Sequence, residues 1–325
     1  MRIKHVFVCP DIPFLYLQYK DFNSGENRAL IRIGENRKIV KGVSAAGFTD
    51  TKLLDPVIAY VLNRSFKNLP AEDGIKYCFI LYSRTYEDFR SSICRYLREK
   101  YKNCLIAVYY GDLVSRHFCS ISDVKKNCDA VFSFDSDDAK EHDLVWLLEP
   151  FSSSVLNLDI VSEKNNPIKW DVTFVGRAKN RYEKIIELYE LLTDSGLKCD
   201  FHITGVQKNN RRYTDNIGYS ALDFSDILRH VAASKCVAEI MQDKGISPTT
   251  RYTEAMLFNK NLLTDCKYFE KEMNRSPNII YFNDVAELTS EMICETRVYH
   301  PFDTTPYVNM FSIDSMISNV DRILS

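Results

Sequence analysis

The stretch from Gly245 to Asp265 reads GISPTTRYTEAMLFNKNLLTD and gathers groups that bind anions. A Gly–Ser–Pro–Thr–Thr loop leads into a helix predicted to begin near Arg251. Loop amides and the positive end of such a helix face an anion. Ser247, Thr249 and Thr250 can donate hydrogen bonds, and Arg251 adds a planar fork matched to phosphate oxygens. Glu254 falls one turn further on, where it could accept from a ribose diol. The same residues also spell an ordinary capped helix, with Thr249 or Thr250 as N-cap and Glu254 closing a capping box. A second segment, Phe174–Val175–Gly176–Arg177, ends a β-rich run. Gly176 lets a ligand approach the backbone, and Arg177 stands at a strand's carboxyl end, where α/β sheets bind ligands. A third, Asp135–Ser136–Asp137, has the DxD spacing with which carboxylates hold a divalent cation against a diphosphate. It equally suits the start of a helix running toward His142.

These groups need strands and helices to hold them. Short apolar runs at His5–Cys9, Tyr77–Tyr82, Leu105–Tyr109 and Ala130–Phe134 predict strands, and Asp55–Leu62 and Tyr86–Tyr101 read as helices between them. Gly25–Val43 is polar and β-like and reads as an inserted hairpin. The polar segments at Ser152–Ser154 and Ser162–Pro167 mark a boundary near residue 160. The pattern then restarts, with strands Trp170–Val175, Lys198–Thr204, Cys236–Met241, Asn261–Thr264 and Ile279–Phe282. Helices Tyr182–Ser195, Phe224–Ala233 and Tyr252–Phe258 separate them, and Ile313–Leu324 reads as a final amphipathic helix. Alternation of this kind predicts an α/β chain of two successive Rossmann-like domains with parallel sheets.

The 325 residues carry 42 Lys+Arg against 44 Asp+Glu, a formal net charge of −2. On that balance no nucleic-acid partner is expected. No apolar run approaches the length of a membrane span, and MRIKHVFVCP reads as a first strand rather than a signal peptide. Ten scattered cysteines without a CxxC pair point to reduced thiols in a cytosolic protein, not to zinc ligands or a disulfide framework. No GxGxxG follows an early strand, which argues against a dinucleotide-dependent oxidoreductase.

The second half resembles nucleotide-sugar glycosyltransferases of the GT-B fold, as found in bacterial polysaccharide and lipopolysaccharide synthesis. The matching blocks are Asp171–Arg177 (DVTFVGR), Tyr182–Leu192, Tyr219–Leu228, Ser234–Met241 (SKCVAEIM) and Gly245–Asp265, within residues 170–290. The resemblance implies two Rossmann-like domains facing a cleft: residues 1–160 for the acceptor, 161–305 for the nucleotide-sugar, and a helix at 306–325 packing back on the first domain. It places Arg251 and Glu254 at the donor diphosphate and ribose, Gly176–Arg177 across from the diphosphate, and Tyr219 near the base. Many retaining members carry a glutamate eight residues before the Glu254 position; here residue 246 is Ile, so the retaining mechanism does not transfer. The first domain matches in outline only. Its candidates for a catalytic base are Asp112, Asp11 and His117, each of which also reads as a cap, turn or surface residue.

The resulting expectation is a metal-independent glycosyltransferase with no cofactor beyond its nucleotide diphosphate-sugar donor and no metal ligands. It would act on a hydroxyl of a glycan or lipid-linked acceptor. The alternative is a non-catalytic two-domain protein that captures a sugar or phosphorylated ligand. A cytoplasmic location is expected, with peripheral contact at the inner face of the membrane through Arg84, Tyr86, Arg90, Arg95, Tyr96, Arg98, Lys100, Tyr101 and Lys102.

Overall fold

The computed structural model describes residues 2–34, 55–159, 166–242, 246–270, 278–299 and 301–325. The chain packs as two units, Met1–Ser152 with Phe311–Ser325, and Ser153–Met310. The division falls earlier than residue 160 because the chain is tied into the first unit up to Ser152. The Phe151 amide donates to Phe311 O at 2.8 Å, and the Ser152 hydroxyl accepts from the Asp21 amide at 2.9 Å.

In the first unit the order is β1 (Arg2–Pro10), α1 (Pro13–Gln18), β2 (Arg28–Ile33), α2 (Asp55–Ser65), β3 (Ile75–Tyr82), α3 (Ser83–Phe89), α4 (Ser91–Lys100), β4 (Leu105–Tyr110), α5 (Ile121–Asn127), β5 (Ala130–Ser133), α6 (Ser136–Glu141) and β6 (Val145–Trp146). The sheet order is β2-β1-β3-β4-β5-β6, and every pairing is parallel. A strand covered on both faces must be apolar throughout. Accordingly Val6 and Val8 face one core with Phe79 and Leu81, while Phe7 and Cys9 face another with Cys78 and Ile80.

Two sequence readings change here. Gly25–Val43 is no hairpin where it is described, because β2 pairs parallel to β1 after the α1 crossover; residues 35–43 lie outside the described residues. The helix expected over Tyr86–Tyr101 is two helices. Arg90, at φ 53°, turns the chain between them. Tyr86 and Tyr101 are buried in the core, and the Tyr96 hydroxyl donates to Asn63 Oδ1 at 3.0 Å, so these rings do not form an exposed aromatic belt.

The second unit runs β7 (Trp170–Arg177), α7 (Tyr182–Asp194), β8 (Cys199–Thr204), β9 (Ile217–Gly218), α8 (Phe224–Ala232), β10 (Ser234–Glu239), α9 (Thr250–Leu257), β11 (Asn261–Thr264), β12 (Ile279–Tyr281), α10 (Ser290–Glu295) and, up to its last residue, α11 (Thr305–Phe311). Its sheet order is β12-β11-β10-β7-β8-β9, again all parallel. The last helix, α12 (Ile313–Leu324), belongs to the first unit. Its apolar stripe of Ile313, Met316 and Val320 packs with Phe7, Cys9 and Ile80, each buried side chain contributing roughly 2 kcal/mol. His5 Nε2 lies 2.7 Å from Asp321 Oδ1, and Arg28 pairs with Asp314. All ten cysteines are free, and among the described residues no helix is long and apolar enough to cross a membrane.

Candidate functional site

In the second unit the strand order reverses between β7 and β10. Chain leaving one strand goes to β8 and β9, chain leaving the other to β11 and β12, so the two connections part and open a crevice at the carboxyl ends. A hollow of about 210 Å³ lies there. Its walls are Phe174–Gly176 at the end of β7, Glu239 and Ile240 at the end of β10, and Thr249–Arg251 at the start of α9, with Arg181 and Gln242. Gly176 keeps it open. A Cβ at that position would lie 3.1 Å from the Phe174 ring and 3.3 Å from the Arg181 guanidinium.

One buried carboxylate holds the start of α9 in place. Glu239 Oε1 accepts from the Thr249 amide at 3.0 Å and the Thr249 hydroxyl at 2.6 Å, and Oε2 accepts from the Thr264 hydroxyl at 2.7 Å. Thr249 in turn caps α9, its Oγ1 accepting from the Arg251 amide at 3.2 Å. Burial pushes the Glu239 carboxyl up, against the pull of the threonine hydrogen bonds. Glu254 is fully buried behind this wall, with Oε2 at 2.6 Å from Arg251 Nη1. Burial pushes its carboxyl up to about 7; the Arg251 guanidinium pulls it down and Glu239 raises it. With Thr249 as N-cap, Glu254 lies two residues past the position that closes a capping box, and it braces Arg251 instead.

The structure thus brings Gly176, Thr249, Thr250 and Arg251 to one hollow, with Glu254 directly behind Arg251. Three other predicted residues do not line it. Arg177 is exposed and leans toward the turn at Gly205, and Ser247 is fully buried. Tyr219 uses its hydroxyl to tie the loop before β9 to α7, meeting Tyr182 Oη at 3.0 Å and donating to Arg212 O at 2.6 Å. Gly245, which opens the motif, lies outside the described residues.

The first-unit candidates are separate groups. Asp11 follows β1 and pairs with Arg32 at 3.1 Å; Asp112 follows β4 and pairs with Arg116 at 3.0 Å. Both are partly exposed. The His117 ring is buried against Tyr110, with Nδ1 3.4 Å from Glu87 Oε2 and Nε2 3.4 Å from Ser83 Oγ. Asp135 of the DxD segment caps α6, accepting from the amides of Asp137 at 3.0 Å and Asp138 at 3.1 Å.

Glu239 and Arg181 escaped the sequence reading. A carboxylate closing the apolar run CVAE was the signal for the first, since a buried acid at a strand's end needs a partner or a ligand. Arg181, four residues after Arg177, had no signal beyond its charge. Its guanidinium lies 5.8 Å from the Phe174 ring centroid, and it reaches the hollow only because the turn after β7 folds back.

No protein-family model and no curated protein matches this sequence. Solved structures match over the whole fold. An α-glucosyltransferase in complex with UDP and a 13-mer DNA containing an HMU base has a TM-score of 0.59 at 13% identity, with 99% of each chain covered. An α-glucosyltransferase in complex with UDP-glucose and DNA containing an abasic site gives 0.57 at 11%, covering 100% of each chain. A UDP-forming α,α-trehalose-phosphate synthase from Burkholderia xenovorans gives 0.59 at 11%, covering 99% of this chain and 98% of that one. The fold is that of the GT-B glycosyltransferases: two α/β domains with parallel sheets. The expectation of no nucleic-acid partner is overturned, because two of these matched structures contain DNA. A near-zero net charge is a whole-chain sum, and it says nothing about a local strip that meets phosphates.

Proposed function

We propose that this protein is a nucleotide-sugar glycosyltransferase. It takes a glycosyl group from a UDP-sugar, whose diphosphate occupies the hollow between β7 and β10, and passes it to an acceptor hydroxyl. The observation that carries this reading is the convergence of Arg251, Arg181, Thr249, Thr250 and the N-terminus of α9 on a glycine-lined hollow at a strand-order reversal. The bond from the anomeric carbon to the diphosphate oxygen breaks, and negative charge grows on the departing UDP. The guanidinium groups and the helix N-terminus stabilise that charge in place, so the step runs without a metal at the diphosphate. The candidates for taking the acceptor proton are Asp112 and Asp11, which are partly exposed, and His117, whose ring is buried.

The acceptor hydroxyl belongs to a glycan or lipid-linked glycan or, on the strength of the DNA complexes among the matched structures, to DNA. Ten free thiols and the cytosolic supply of nucleotide sugars support a cytoplasmic enzyme.

The test is calorimetry with UDP and UDP-sugars, alongside turnover against a panel of these acceptors with and without EDTA. Arg251→Ala should weaken UDP binding roughly ten- to hundredfold. The fold should survive, because Glu254, with its carboxyl near 7, can take up a proton when its partner is gone. Absence of UDP binding by the unaltered protein, together with no consumption of any UDP-sugar, would sink the proposal. Loss of turnover in EDTA, restored by Mn²⁺, would overturn its metal-free step.

A further inference from the structure

Asp200, His202 and His230 come together in the second unit, although the sequence reading found no metal ligands and none of the three lines the UDP hollow. Asp200 and His202 are two residues apart on β8, so their side chains leave the same face of the sheet. His230 comes from α8, which packs over β10 and β7. Asp200 Oδ1 lies 3.2 Å from His202 Nε2, and Oδ2 lies 2.6 Å from His230 Nδ1. The imidazole rings are 4.4 Å apart between centroids.

We propose that these three side chains form a zinc site, with Asp200, His202 Nε2 and His230 Nδ1 as protein ligands and water completing the shell. Ligand atoms on a tetrahedral zinc with bonds of about 2.0–2.1 Å stand about 3.3 Å apart. Here one ligand atom from each residue can be chosen so that all lie within 4.8 Å of one another, and each imidazole nitrogen already faces an Asp200 oxygen, His202 Nε2 by Oδ1 and His230 Nδ1 by Oδ2. Two neutral imidazoles and one carboxylate are a donor set suited to zinc rather than to calcium or magnesium.

The surroundings are built for this arrangement. The Thr173 hydroxyl on the neighbouring strand β7 donates to the main-chain O of Asp200 at 3.1 Å and lies 3.4 Å from Oδ2, beside the carboxylate. Gly218 on β9 makes room for His202, since a Cβ there would lie 2.3 Å from Nδ1. Asp200 is buried, but the side chains of His202 and His230 keep 17% and 26% of their exposure, so solvent can reach the open coordination position. A bound ion would clamp α8 to β8. Because α8 leads directly into β10, whose last residue is Glu239, the clamp would hold the strand that carries one wall of the hollow.

The test uses the full chain without an affinity tag, stripped with chelator and titrated with Zn²⁺ alone against a chromophoric competitor. One Zn²⁺ per chain is expected, together with a rise in Tm. His230→Gln and Asp200→Asn should each weaken binding by at least an order of magnitude while keeping the native circular dichroism. Co²⁺ added in place of Zn²⁺ should give visible d–d bands, absent from His230→Gln, without the intense charge-transfer band of a thiolate ligand. If the unaltered chain binds no Zn²⁺, or binds it equally well after His230→Gln, the site is no metal site. Asp200 then serves only as the shared hydrogen-bond acceptor of two imidazoles. Turnover of UDP-sugars plays no part in these readouts, so failure here leaves the proposed transfer reaction standing.

Discussion

Both units reverse strand order once, and the two reversals look very different. In the second unit the carboxyl ends of β7 and β10 flank an open hollow with Gly176 at its lip. In the first, the reversal falls between β1 and β3, and β3 ends in Tyr82. The Tyr82 ring packs with Phe7 and Tyr19, at centroid distances of 6.5 and 6.3 Å. It also fills the space over Gly111, where a Cβ would lie 2.8 Å from it. The same topology therefore offers a ligand crevice twice, and one residue at a strand's end helps decide whether it stays open. The acids follow suit. Glu239 and Glu254 are desolvated and brace the wall of the hollow, whereas Asp11 and Asp112 are partly solvated and pair with a nearby arginine.

The largest effect expected on breaking this contrast comes from unplugging the first unit. The Tyr82 ring is partly buried, so Tyr82→Ala should cost roughly 2–4 kcal/mol in denaturant unfolding, through lost packing and the cavity left behind. A loss under about 1 kcal/mol would mean that the ring is not a core plug. Next comes Glu239→Ala, which strands the Thr249 amide and two threonine hydroxyls. It should cost roughly 3 kcal/mol and weaken UDP binding as the start of α9 loosens. Unchanged UDP affinity in a destabilised variant would separate Glu239 from the site.

Closing the second crevice is the converse experiment. Gly176→Leu should reduce UDP affinity roughly a hundredfold, about 3 kcal/mol, with a smaller effect on unfolding. Unimpaired UDP binding would show that the ligand does not use this hollow.

The most gradual effect is electrostatic, spread over a pH window. Glu254 has its carboxyl raised to about 7 in the folded chain, above its unfolded value. Between the two values the folded state binds more protons, so stability is fully present below the unfolded value and falls as pH rises toward 7. The slope from this one group is at most about 1.4 kcal/mol per pH unit. It should vanish in Glu254→Gln, measured by urea unfolding across that window, and a slope that persists belongs to another group.

Much of the scaffold was legible because strands buried on both faces must be continuously apolar. Asn261–Thr264 and Ile313–Leu324 form over the ranges read from sequence, and β7, α7 and β8 agree to within two residues at each end. What escaped were short or polar edge pieces. The edge strands Val145–Trp146 and Ile217–Gly218 have two residues each, too few for any period to register. The edge strand Arg28–Ile33 carries its alternation on one covered face, which looks the same in a hairpin as in a parallel ladder. The kink at Arg90 had no glycine to announce it.

The site divides in the same way. Local chemistry was enough to mark Gly176 and the Thr249–Arg251 cap, because a glycine at a strand's end and a hydroxyl before a helix act through neighbours a few residues away. Which residues join them was decided in three dimensions. Glu239 reaches Thr249 and Thr264 only because β10 lies beside β11, and Glu254 meets Arg251 because α9 turns that face inward. Asp200, His202 and His230 meet because a crossover helix returns over the sheet. Contacts between residues far apart in sequence depend on register and helix rotation. A linear pattern constrains those only through the apolar faces they bury, so the polar partners of a buried acid are a property of the folded chain.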